Sequence, residues 1–216
     1  DFSKTVQFVI ANEEALEQEK RFVDVDINRS FPGDKDSDQH EERLAAQIIE
    51  ELEGLKVLDI HSTRSYPEPF VTLKTVDERT LDLVKSAGVE KAVYFPNPSG
   101  ASNEFLEGII VETGLQQTEQ AAENAYDIII NFLAAEGVID RPFRETDPEI
   151  YEYYETVEGK GYRFIAENFE KVEKGEVFAR KDGEDMVAEE DFYPVLMSTH
   201  GYENILGFKA RKLEDA

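Results

Sequence analysis

The 216-residue chain has no cysteine, only three histidines, and 23 Lys and Arg against 48 Asp and Glu. Without cysteine there is no disulfide, no thiolate metal site and no cysteine nucleophile. The formal charge is −25, and it is spread along the whole chain. Nucleic acid and anionic membrane surfaces would both repel such a protein, so neither is expected as a partner. No apolar run approaches the roughly 18 residues that a membrane-spanning helix needs, and no export signal is visible, which leads us to expect a cytoplasmic protein. A glycine-rich phosphate loop and a Gly-x-Ser-x-Gly nucleophile elbow are both missing.

What is present argues for a folded enzyme-sized body. Fourteen Phe, nine Tyr and 40% hydrophobic residues are too many for an acidic disordered chain, and the length suits one large or two small domains. Carboxylates in this number on a folded protein suggest adaptation to high salt, where screening relieves self-repulsion. Self-association into a homo-oligomer stays open.

The first two-thirds alternates strand-like and helix-like patterns, the grammar of an α/β protein: a mixed, mainly parallel sheet with flanking helices. Strands are expected at Val6–Ile10, Leu55–Ile60, Ala92–Phe95 and Gly108–Glu112. Asp38 with Glu41 reads as a capping pair opening a helix with Leu44, Ala45, Ile48, Ile49 and Leu52 as its apolar stripe. Thr75 with Glu78 reads as a second capping pair, and a third helix is expected from about Gln117 to Glu136, stopped by Gly137. From about residue 141 the pattern changes. Arg141–Pro148 reads as a linker or crossing segment, and Tyr162–Phe169, Glu176–Arg180 and Met186-Val187, with an Asp182-Gly183 hairpin turn, read as a small β domain over 141–216 packed on an α/β domain over 1–140. Since the chain begins at Asp1 and enters a strand-like run almost at once, we expect it to start inside a domain.

Three places could carry chemistry. His61 follows the strongest strand, and Asp59, two residues earlier, lies on the same side of it. A histidine at the carboxyl end of a strand is suited to binding a metal or to acid–base work, with Asp59 orienting its ring, although a hydrogen-bonded strand-end histidine would look the same. The segment Arg21-Phe22-Val23-Asp24-Val25-Asp26-Ile27-Asn28-Arg29-Ser30-Phe31-Pro32-Gly33 concentrates two arginines that could grip an anionic substrate or pair locally with carboxylates. Glu112 ends a buried strand, where a carboxylate needs a partner or a task such as general-base catalysis. His40 is expected to be solvated. The polar loop Pro96–Asn103 reads as a substrate loop or a plain surface loop.

Taken in order, Ala11–Leu16, Arg21–Gly33, Asp59-Ile60-His61-Ser62-Thr63 and Val111-Glu112-Thr113-Gly114, with Tyr193–Leu196 and Gly201–Ala210 near the end, resemble the succinylglutamate desuccinylase/aspartoacylase family, relatives of the zinc carboxypeptidases. The resemblance implies a zinc-carboxypeptidase-like fold and hydrolysis of the amide bond of an N-acyl amino acid by zinc-activated water. It implies His61 as a Zn2+ ligand, Glu112 as general base, Arg21 as the group that polarises the scissile carbonyl, Asn28 and Arg29 as carboxylate binders and Tyr202 as a residue closing the substrate site. In the family an upstream His-x-x-Glu motif gives two further ligands. The one such motif here is His200-Gly201-Tyr202-Glu203, near the far end, so the upstream pair is expected to lie before Asp1. Two rivals are a carboxypeptidase-like zinc peptidase and a non-catalytic, carboxylate-binding fragment.

Overall fold

Strand β1 (Val57–Thr63) and strand β4 (Gly108–Leu115) are parallel neighbours, with Asp59 opposite Ile110 and His61 opposite Glu112. Side chains alternate across a strand. Leu58, Ile60, Ile109 and Val111 therefore enter one hydrophobic core, while Asp59, His61 and Glu112 share the opposite face. That first core is completed by helices α3 (Glu78–Ala87) and α4 (Glu119–Ala135), through Leu83, Val84, Ile128 and Phe132. On the other face, helix α2 (His40–Leu52) packs Ala45 and Ile48 against Phe31 and Ile27 of the preceding segment.

The computed structural model describes residues 6–214. Strands β2 (Phe70–Leu73), β3 (Lys91–Tyr94), β5 (Glu149–Glu158), β9 (Tyr193–Val195) and β10 (Ile205–Lys212) join β1 and β4 in one seven-stranded sheet, ordered β1-β4-β2-β3-β5-β10-β9. It is a mixed sheet. The pairs β1/β4, β2/β3 and β3/β5 are parallel, and β2/β4, β5/β10 and β9/β10 are antiparallel. The short strands β6 (Arg163–Phe164), β7 (Val177–Lys181) and β8 (Glu184–Val187) form a separate antiparallel sheet, with the Asp182-Gly183 turn between β7 and β8. Phe178, Phe192, Met197 and Leu206 fill a second core beside it. The main sheet thus takes strands from both sides of residue 141. Among the described residues, no helix is long and apolar enough to cross a membrane.

Three local expectations are corrected. Val6–Ile10 is not a strand: it has no regular structure, and Phe8 and Ile10 are 70% and 59% exposed. Strand-forming side chains do not make a strand unless a neighbour takes up the backbone hydrogen bonds, and among the described residues none pairs with this run. Helix α3 is capped by Asp77, which accepts from the Thr80 N–H, rather than by Thr75. Asp38 and Glu41 form no capping pair either. Helix α2 begins after Gln39 without a side-chain cap, and Glu41 turns inward and is fully buried.

Candidate active site

Buried Glu41 shows how the segment before α2 is shaped. Its carboxylate accepts hydrogen bonds from the backbone N–H groups of Val23, Asp24 and Val25 and from the Asn12 amide. Burial alone would raise its pKa. The four donors outweigh that effect and hold it at about 2. Asn12 also caps the short helix α1 (Glu13–Glu17), so a single carboxylate ties α1, α2 and the loop between them. Downstream of this staple, Asp26 caps a 3-10 turn, Ile27–Arg29, by accepting from the Asn28 N–H. That turn presents Asn28 toward the face of the sheet that carries His61.

The residues singled out in the sequence come together there. Asp59 Oδ1 lies 3.1 Å from His61 Nε2, and Asp59 Oδ2 accepts from Ser102 Oγ at 2.6 Å. The Asn28 amide nitrogen lies 3.3 Å from His61 Nε2 and 3.4 Å from Nδ1. Burial would push the imidazolium pKa down, but the charge and hydrogen bond of Asp59, then the charge of Glu112, push it up to about 9. Asp59 in turn is held below the usual carboxylate range: burial opposes this, and His61 and the Ser102 hydroxyl outweigh it.

Glu112 is the unusual member. Its Oε2 is buried and has no hydrogen-bond partner. Burial, with the charge of Asp59 adding to it, raises its pKa against the pull of His61 and Arg21. The exposed Arg21 guanidinium holds Asp26 Oδ2 at 2.7 Å, and its charge still acts on both His61 and Glu112. Arg29 donates to the Asn28 carbonyl at 2.6 Å. Tyr202, just before β10, packs against Phe208 with ring centroids 5.9 Å apart. Surrounding protein atoms and the charge of Glu112 push its phenol up to about 12, against Arg29 and Arg21. His61, Asn28 and Glu112 thus lie together, Arg21 acts on His61 and Glu112 through its charge, and the charges of Glu112, Arg29 and Arg21 act on Tyr202.

The loop after β3 closes a side of this site. Glu104 accepts from the Ser99 and Ala101 N–H groups and forms an ion pair with Lys74 at 3.0 Å, and Lys74 also donates to the Asn97 carbonyl. These contacts pin the loop down rather than leaving it as a free surface segment. Gly100, at φ +75°, lies so near the arginine turn that an added Cβ would fall 2.7 Å from the Arg29 carbonyl oxygen. Its own carbonyl accepts from the Phe31 N–H. Glu41 and Ser102 were not recognisable as site residues in the sequence. Each acts on residues 16 or more positions away, and no local spacing marks such contacts.

His200 and Glu203 do not form a metal pair. Residues 198–203 are not helical, and Glu203, 82% exposed, faces Lys160 at 3.6 Å. Among the described residues, no group of three or more His, Asp or Glu side chains could hold a metal ion. The donor set therefore matches a zinc site only in part. His61 is the imidazole available; Asp59 lies at its Nε2, and the Asn28 amide nitrogen lies 3.3 Å from Nε2 and 3.4 Å from Nδ1.

The chain is similar in fold to the succinylglutamate desuccinylase/aspartoacylase from Rhodobacter sphaeroides, at 18% identity and TM-score 0.75 over 95% of this chain and 74% of that one. It is similar to murine aminoacylase 3, at 19% identity and TM-score 0.74 over 95% of this chain and 82% of that one. A product-bound ectoine utilization protein from Ruegeria pomeroyi matches at 17% identity and TM-score 0.74, over 93% of this chain and 72% of that one. No curated protein matches the sequence. The family model of the succinylglutamate desuccinylase/aspartoacylase catalytic domain matches residues 2–132, and the chain belongs to that family of deacylases.

Proposed function

We propose that this protein hydrolyses the amide bond of an N-acyl amino acid bearing one or more further carboxylates, such as N-succinylglutamate or N-acetylaspartate, with Glu112 as general base. The observation that carries this reading is the Glu112 carboxylate: buried, without a partner on Oε2, raised in pKa, and opposite His61 across two parallel strands. A carboxylate tuned upward toward neutral pH can take the proton of an attacking water and then return it. The water oxygen bonds to the amide carbon while Glu112 takes the proton. The C–N bond then breaks as Glu112 delivers that proton to the amine nitrogen, leaving a carboxylic acid and a free amino acid.

Arg21 is the cation suited to the oxyanion that develops on the carbonyl oxygen, and its pairing with Asp26 fixes its position. Asn28 and Arg29 bind the substrate carboxylate, and Tyr202 covers the site from the β10 side. Arginines kept in so acidic a chain fit an anionic substrate. Arg29→Ala should raise KM by about 10- to 100-fold and leave kcat nearly unchanged, the cost of one charge-assisted contact made equally in the ground and transition states. Steady-state kinetics check this, and a loss confined to kcat would move Arg29 to the transition state.

Zn2+ is the cofactor this reading implies. Bound zinc would polarise the carbonyl and acidify the water, and His61 is the residue of this chain that would hold it. Catalytic zinc sites use three protein ligands. With His61 as a single ligand, the chain loaded with zinc and desalted should retain well under one zinc by mass spectrometry. About one zinc per chain, lost on His61→Ala, would show that residues of this chain close the site.

A panel of N-acyl amino acids set against C-terminal peptide substrates tests the function itself. Release of free amino acid from the N-acyl compounds, assayed with zinc in excess so that a weak site is filled, is the expected result. Turnover of peptides alone would make the protein a carboxypeptidase-like enzyme.

A further inference from the structure

Ser102 has no role in the mechanism above, yet it is buried to 5% exposure and its hydroxyl makes the shortest polar contact to the Asp59–His61 pair. Asp59 has two oxygens. One meets His61 Nε2 and the other accepts from Ser102 Oγ. A carboxylate held at one oxygen alone can pivot about its Cβ–Cγ bond. When the second oxygen is held as well, its plane is fixed, and so is the direction from which it meets the imidazole.

Ser102 can do this because its backbone is itself immobilised. It opens a 3-10 turn, Ser102–Glu104. Glu104 gathers the Ser99 and Ala101 N–H groups and the Lys74 ammonium. The neighbouring Asn103 side chain donates to the Thr72 carbonyl in β2. The hydroxyl is therefore carried on a loop anchored to the central sheet.

We propose that Ser102 is a positioning residue. Through Asp59 it sets the orientation of the His61 ring. The inference rests on the reading of His61 as a site residue, but its first test needs no activity. The chain has three histidines, His40, His61 and His200, so the imidazole nitrogen signals of 15N-labelled protein can be assigned by substituting each in turn.

At one fixed pH, Ser102→Ala should shift or broaden the His61 nitrogen signals while those of His40 and His200 stay in place. Ser102→Thr, which keeps the hydroxyl, should restore the wild-type pattern. His61 signals unchanged in Ser102→Ala, or changed equally in the Ala and Thr variants, would overturn the proposal. Should Ser102→Ala fail to fold by circular dichroism, Ser102→Cys is read in the same way, since its weaker donor should also disturb the His61 signals, and signals left unmoved would overturn the proposal.

Kinetics give the second arm. On an N-acyl amino acid, Ser102→Ala should lower kcat about 10-fold or more with KM little changed, because the orientation of His61 matters most as the transition state forms. A rise in KM with constant kcat would place Ser102 in substrate binding instead. Wild-type protein inactive on the panel, with the histidine signals behaving as expected, would refute the function and leave the positioning role intact.

Discussion

Glu112→Gln should lower turnover by about 10²- to 10⁴-fold, the range associated with losing a positioned general base. The fold should not suffer. In the native protein burial makes the ionised carboxylate costly, and its pKa is raised rather than lowered. An acid whose pKa is higher in the folded state than in the unfolded one destabilises the fold at any pH where it ionises. An uncharged amide of the same shape removes that cost, so the urea midpoint of Glu112→Gln at pH 7 should equal or exceed the wild-type midpoint. Lower activity with undiminished stability is the mark of a group kept for chemistry. Unchanged turnover would remove Glu112 from the mechanism.

Glu41→Gln should have the opposite profile. Glu41 is fully buried, and its carboxylate, at a pKa of about 2 against a usual 4.5, is stabilised in the folded state by three backbone N–H groups and the Asn12 amide. A shift of that size corresponds to about 3 kcal/mol at pH 7. The sign follows from the lowered folded-state pKa. The contribution is complete above about pH 4.5, declines as the pH falls from there, and is gone below about 2. Urea unfolding of wild type and Glu41→Gln should therefore differ most at neutral pH and converge as the pH approaches 2. A gap that is constant with pH would show that packing, not the charge, is what Glu41 supplies. Because the same carboxylate shapes residues 23–25, just ahead of Asn28 and Arg29, the variant should also bind substrate less well.

How legible these residues were depends on how far their contacts reach along the chain. Asp59 and His61 were readable as a pair because a strand has a period of two, and two residues apart on a strand means one face. Glu112 was readable as a costly carboxylate ending an apolar run. Leu44, Ile48 and Leu52 gave α2 by their helical spacing. By contrast, Glu41 has the type and position of a helix-capping residue, and only the loop folding back over α2 makes it a buried anchor. Val6–Ile10 has strand-forming side chains, but pairing depends on a neighbour that its composition does not specify. Strand β5 shows no such period, because Glu149–Glu158 is dominated by acidic and aromatic residues; its apolar positions, Ile150 and Val157, are buried in two different cores built by residues far along the chain. Strand β2 is four residues long and sits just after two prolines, Pro67 and Pro69, too little sequence for a period to show.

The contact between Gly100 and Arg29 bears on how selectivity in such a protein could be altered, by evolution or by design. There is no room there for even one methyl group, so the loop carrying Ser102 and the turn carrying Arg29 are packed as a single joint. Lengthening or recomposing one would displace the other. On the proposed function, a change in substrate preference made through one segment would then disturb the other unless both were replaced together. Exchanging the two segments as a cassette is the more promising unit of redesign.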